Sequence, residues 1–171
     1  MASIGGIASA LAASVALVAM LSPAPTAHGT GDESAINGIF TATSNGEWAQ
    51  SNQVYHNEAT VRSTWTIATT CTTPIDCTGT VKSDQGWTAP IYTTNVQWYV
   101  KRELADWERC ADGTTAPGHQ VYRFTPVGAD GYVDPKSTTY AGEDVTTGPS
   151  GACGRNVSLQ IALPFKLVKI A

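Results

Sequence analysis

The chain has 171 residues, a formal net charge of −4 and only 14% charged side chains. Its lysines and arginines are few and scattered, so nothing in it tracks a phosphate backbone, and nucleic acid is excluded as a partner on electrostatic grounds. No basic amphipathic helix for lying on a membrane is present either.

In chain order, Ile4 to Leu21 is apolar and rich in Ala, Val and Leu, and Ser22-Pro23-Ala24-Pro25-Thr26-Ala27-His28-Gly29 follows with small residues and helix breakers. This reads as a secretory signal over residues 1–29, cut after Gly29 or, as the alternative, after Ala27. It departs from the usual pattern in having no Lys or Arg ahead of the apolar run. A retained anchor is the competing reading, with a span at the short end for a bilayer. Residues 30–171 are then expected to form a single secreted β domain with no membrane span after processing.

Ile36 to Thr43 reads as a first strand, and Asn45-Gly46 as a turn that tolerates positive φ. Trp48 to Tyr55 reads as a second strand. The stretch from Ala59 to Leu104 then shows two-residue alternation. Val61, Trp65 and Ile67 share one parity against Thr60, Arg62, Thr64 and Thr66 on the other, and Val96, Trp98, Val100 and Leu104 alternate with Gln97, Tyr99, Lys101 and Glu103. Successive side chains of a strand point to opposite faces, so each run offers an apolar face and a wet one. Arg102 falls on the apolar parity, as the single interruption of that run. Between the two runs lie a short strand at Gly79 to Lys82, a turn at Ser83 to Gly86, and a strand over Trp87 to Tyr92 that Pro90 restricts to an edge or a bulge. Ala111 to Gly118 is loop by composition, and Gln120 to Phe124 resumes alternation. Val127 to Pro135 is a hairpin-like excursion, Thr138 to Thr147 a weak strand, and Pro149 to Gly154 a tight loop. Val157, Leu159, Ile161, Leu163, Phe165 and Leu167 form an unbroken apolar parity, with Pro164 facing outward at a bulge or an edge.

Some eight to ten short strands with frequent turns imply an all-β fold, an antiparallel barrel with lipocalin-like closure or a β-sandwich. The barrel is preferred, because closure removes exposed edges. Four cysteines behind an export signal imply an oxidising destination and two disulfides. Of the three connectivities possible, Cys71–Cys77 and Cys110–Cys153 are favoured. A zinc site is disfavoured by the Cys71 to Cys77 spacing and by the remoteness of His56 and His119.

The sequence has no nucleophile elbow, phosphate loop, redox cysteine pair or paired-histidine zinc motif. His56 beside Glu58 is the nearest thing to an oriented base, and a surface pair is the plainer account. Tryptophan supplies the suggestive feature: Trp87, Trp98 and Trp107, with Arg102 and Arg109, are the candidate ligand-binding residues, tryptophans for a sugar or lipid and arginines for an anionic group. Packing is the alternative for the tryptophans, a solvated strand end for the arginines.

Ser44-Asn-Gly-Glu-Trp48-Ala49, Trp65 to Cys71, Cys77 to Ser83 with Gly86-Trp87, Trp107-Glu-Arg-Cys-Ala-Asp-Gly113, Gly142-Glu-Asp144 with Gly148 to Gly154, and Leu159 to Ile170 together carry a resemblance. Over most of residues 30–171 the chain resembles small exported proteins of uncharacterised function from mycobacteria and related actinomycetes. The resemblance implies secretion, two cystines and a β fold, and it assigns no activity or site residue. The richness in tryptophan and the missing catalytic motifs set the expected function: a secreted or cell-envelope β domain that binds an envelope lipid, a glycan or a host protein without catalysis and without a cofactor or metal. A structural or antigenic surface module touching a protein partner is the alternative, and a hydrolase the last.

Overall fold

A computed structural model of the chain describes residues 32–171, so the leader assigned to residues 1–29 lies outside the described residues. Ten strands follow in order: β1 Gly38–Ser44, β2 Gln50–Ser51, β3 Val54–Tyr55, β4 Val61–Thr73, β5 Asp76–Ser83, β6 Thr88–Thr94, β7 Gln97–Arg109, β8 Thr115–Pro126, β9 Thr139–Thr147 and β10 Gln160–Lys169. Eight of them close into an antiparallel barrel, in the order β1-β4-β5-β6-β7-β8-β9-β10, and β10 pairs back onto β1. The short β2–β3 hairpin continues the ladder from β10 outside the cylinder. Between barrel and sandwich, the chain adopts the barrel. Among the described residues, helical structure is limited to three-residue 3₁₀ turns, and no helix is long and apolar enough to cross a membrane.

Alternation drives the closure. Trp65 and Ile67 on β4, Val81 on β5, Ile91 on β6, Trp98 and Val100 on β7, Tyr122 and Phe124 on β8, and Phe165 and Leu167 on β10 all turn inward and are buried. The centre of this interior is aromatic. Trp65 stands edge-on to Trp87 at 5.3 Å and to Tyr122 at 4.9 Å, with Phe165 5.3 Å away. Edge-to-face pairs of this kind add about 0.5–1.5 kcal/mol beyond the area they bury.

Both disulfides pair as favoured. Cys71–Cys77 bridges directly opposed residues of β4 and β5. Cys110–Cys153 ties the far end of the β7–β8 hairpin to the loop before β10.

Several local expectations are corrected. The strand expected over Trp48 to Tyr55 is broken into a 3₁₀ turn at Gly46–Trp48 and the β2–β3 hairpin, whose loop residues Asn52 and Gln53 adopt left-handed φ of 48° and 66°. Gly46 is required for close approach and not for positive φ: a Cβ there would lie 2.0 Å from the Glu58 carbonyl oxygen. The loop expected over Ala111 to Gly118 is shorter, because β8 already begins at Thr115. Pro117 fits there because β7 bulges opposite it, three residues Ala105–Asp106–Trp107 facing one, so no ladder N–H is needed. Val96 leaves the strand and forms the β6–β7 turn. On β10, Phe165 and Leu167 reach the core, whereas Val157 is 71% exposed, because the chain before Gln160 has not yet joined the barrel wall. Pro90 and Pro164 lie where the ladder gaps: β6 pairs with β7 only from Ile91 onward, and Pro164 lies between the β2 and β1 segments paired to β10.

Candidate functional site

The barrel has two unlike ends. At one, the β4–β5, β6–β7 and β8–β9 connections gather around the chain segment that leads into β1. Ile36, Ile75, Val96, Trp98, Val133 and Tyr140, with Pro74, Pro126, Pro135, Ser34 and Thr93, surround a cavity of about 240 Å³. Trp98, Tyr140 and Ile36 are buried and form its floor, whereas Ile75, Val96 and Val133 are each about half exposed and form its rim. None of the lining side chains is charged.

Each rim residue is held by local chemistry. The Pro74-Ile75 turn lies inside the Cys71–Cys77 ring, and the Thr93 hydroxyl fixes it to β6, donating to the Ile75 carbonyl at 2.9 Å and accepting from the Cys77 N–H at 2.8 Å. Asn95 and Val96, with φ of 49° and 64°, make the two-residue turn whose twist suits a tight hairpin. The excursion after β8 is closed by the Gly128 N–H donating to the Tyr132 carbonyl at 2.8 Å and by the Val127–Val133 bridge. Burial pushes the Tyr140 hydroxyl up to about 12, so it remains a neutral phenol at the floor. This mouth offers apolar contact and no group that transfers a proton near neutral pH.

The other end holds a buried polar chain. Arg102 Nε donates to Gln120 Oε1 at 2.6 Å, Gln120 Nε2 donates to Asp144 Oδ1 at 2.8 Å, and the Ser44 hydroxyl donates to Asp144 Oδ2 at 2.7 Å. These four side chains come from β7, β8, β9 and β1. The Arg102 guanidinium also lies 4.3 Å above the Trp87 ring, a cation–π contact. Together Arg102 and Trp87 stand at the seam where β6 and β7 part. The Trp87 indole N–H is buried there without a hydrogen-bond partner.

Burial raises the Asp144 carboxyl above its ordinary 3.8, an effect that the hydrogen bonds from Ser44 and Gln120 and the charge of Arg102 only partly oppose. A raised carboxyl binds more protons folded than unfolded, so its stabilising contribution is full below pH 3.8 and is lost as pH rises through the folded pKa. The difference in unfolding free energy between wild type and Asp144→Asn is therefore expected to fall as pH increases from 3.8. Urea titrations between pH 3 and pH 7 measure this difference, and one that grows with pH would contradict the assignment.

The barrel is similar to a sensor domain of known structure. The monomer form of the M. tuberculosis PknI sensor domain aligns over 80% of this chain and 88% of that chain, with 14% identity and a TM-score of 0.57. At that identity the likeness concerns the fold. No protein-family model matches the sequence, and no curated protein matches it.

The five residues singled out by sequence do not converge. Trp87 and Arg102 meet at the polar end, and Trp98 is the floor of the opposite mouth. Trp107 lies over Gly118 and Gly148 on the β7–β8 extension, where a Cβ on those glycines would approach its ring to 2.7 and 3.2 Å, while Arg109 is exposed near the tip. His56 Nδ1 and Glu58 Oε1 are 2.8 Å apart on the open surface, outside the mouth. Glu103 pairs with His119 across β7–β8. Glu108 is buried, and the Arg155 guanidinium approaches it to 2.8 Å without a hydrogen-bond angle. Among the described residues no cluster of His, Cys, Asp and Glu is placed to hold a metal. The rim residues Ile75, Val96 and Val133 escaped the sequence argument. Ile75 and Val96 are aliphatic side chains in tight turns and Val133 is one in the excursion after β8, although the alternation placed Val96 in a strand.

Proposed function

We propose that this chain is a secreted or cell-envelope β-barrel that binds an apolar ligand, a lipid chain first among the candidates, in the mouth floored by Trp98, without catalysing a reaction. The observation that carries this is the cavity itself, uncharged and mainly apolar, with a buried indole below and half-exposed aliphatic side chains around the opening. About 240 Å³ falls short of the roughly 300–1,000 Å³ that drug-sized ligands occupy. That suits the end of an acyl chain better than a sugar, which would need more polar partners than the hydroxyls of Ser34, Thr93 and Tyr140, the first of these on the entering segment and the second already bonded to Ile75 and Cys77. The similar PknI chain is a sensor domain, a name that agrees with recognition. Export is supported by the two cystines, which persist in oxidising compartments. The intact mass of the exported protein reads whether residues 1–29 are removed.

The test is a titration of the exported protein with sodium octanoate, followed by tryptophan fluorescence. A saturable change is expected, and it should be largely lost in Trp98→Phe while Trp48→Phe retains it. A linear, unsaturable response would remove the ligand reading.

A second reading, a surface module contacting a protein partner, draws on the β2–β3 hairpin. β3 is a free edge, and Trp48, Val54 and Tyr55 beside it are each at least 65% exposed. An unpaired edge can accept a strand from another chain.

A further inference from the structure

We propose that the mouth end of the barrel docks on a lipid bilayer, so that the ligand chain enters from the membrane; this rests on the apolar-ligand reading of the cavity. Ile75, Val96 and Val133 are 53%, 50% and 58% exposed on three separate hairpins, and Tyr132 beside Val133 is 76% exposed. Aliphatic side chains on turn tips with a tyrosine beside them suit a bilayer interface, where an aromatic ring with a polar end is favoured.

Val96 adds to this through its backbone. It is a β-branched residue at φ 64°, in the left-handed region that glycine occupies freely and other residues only at a cost. Half of that valine is in solvent, so the folded chain recovers little of the cost. Its side chain stands at the rim of the mouth, the kind of place where strained residues of binding surfaces gather.

The course of the chain points the same way. Ser34 and Ile36 line the cavity, so residues 22–31 link this end to the apolar run Ile4 to Leu21. Ten extended residues reach at most about 35 Å. On the reading of residues 1–29 as an export signal, the chain therefore leaves the barrel toward the membrane from the mouth end and not from the polar end. The C-terminus meets β1 here as well, with the Ile39 N–H donating to the Ala171 carbonyl at 2.7 Å and Ile170 60% exposed. Charge adds no attraction: Asp32, Glu33, Asp76, Asp130 and Asp134 lie at or beside this end, against Lys136 and Lys169 only. Docking is accordingly apolar, insensitive to salt and not enhanced by anionic lipid.

The experiment uses the exported protein and vesicles of phosphatidylcholine, read by co-sedimentation and by amide hydrogen exchange. Wild type is expected to sediment with the vesicles equally in low and high salt, with exchange slowed at 74–76, 95–97 and 131–134 and unchanged at 52–55. The double variant Ile75→Ser with Val133→Ser should lose about tenfold in partitioning. Val96→Gly should partition less while melting no lower than wild type, and Val54→Ser with Tyr55→Ser should behave as wild type. Wild type left in the supernatant, exchange unaltered at the three turns, or binding abolished by salt would each overturn the docking. A protein that takes octanoate yet ignores vesicles removes this inference and keeps the ligand reading; sedimentation without any octanoate response does the reverse.

Discussion

Replacing Trp65 with alanine is expected to lower stability by about 3–5 kcal/mol, the range for deleting a fully buried large aromatic side chain. Trp65 is 1% exposed, touches Trp87, Tyr122 and Phe165, and donates its indole N–H to the Ser63 hydroxyl at 3.0 Å. Its neighbours are rings on β8 and β10 and one, Trp87, at the entry to β6, and closure of the cylinder stops them from collapsing into the space left behind. Guanidinium unfolding followed by circular dichroism measures the loss. Trp48→Ala, at a side chain 69% exposed, should change stability by less than about 1 kcal/mol. Equal effects at the two positions would show that Trp65 is not the centre of the core.

Removal of the long cystine comes next in size. Cys110→Ser with Cys153→Ser should cost about 4 kcal/mol on the chain-entropy account, and Cys71→Ser with Cys77→Ser about 2 kcal/mol. The difference follows from the separations closed, 43 residues against 6. The local bond also has less to hold, because its cysteines already face each other across a continuous ladder and Thr93 anchors the turn independently. Thermal melts of the two double variants give the comparison. Were the short bond the costlier to lose, the ranking by loop length would be wrong for this barrel.

The sequence made the barrel legible wherever alternation was clean and both neighbours were continuous strands. Trp65, Ile67, Trp98, Val100, Tyr122, Phe124, Phe165 and Leu167 face inward as their parity requires. Arg102, out of place on an apolar parity, marked a real feature: it points inward and joins the chain to Asp144. Legibility failed where backbone geometry competes with periodicity. Trp48 to Tyr55 has the composition of a strand, but Asn52 and Gln53 accept left-handed φ and fold it into a hairpin. Thr115 to Gly118 has the composition of a loop, but the bulge in β7 leaves Pro117 no bond to miss. The mouth was hidden for a related reason. Its residues come from turns far apart in the chain, and alternation says nothing about which turns a closed cylinder gathers at one end.

That β10 returns to β1 also bears on how this protein behaves when crowded. A wall with no first or last strand gives a growing fibril little to copy: among the described residues the β3 flank is only Val54–Tyr55, and the flank of β7 that β6 leaves uncovered beyond Val100 carries Lys101, Glu103, Asp106 and Arg109, charges that discourage pairing. Concentrated stocks should therefore stay free of cross-β polymer for as long as the cylinder remains shut.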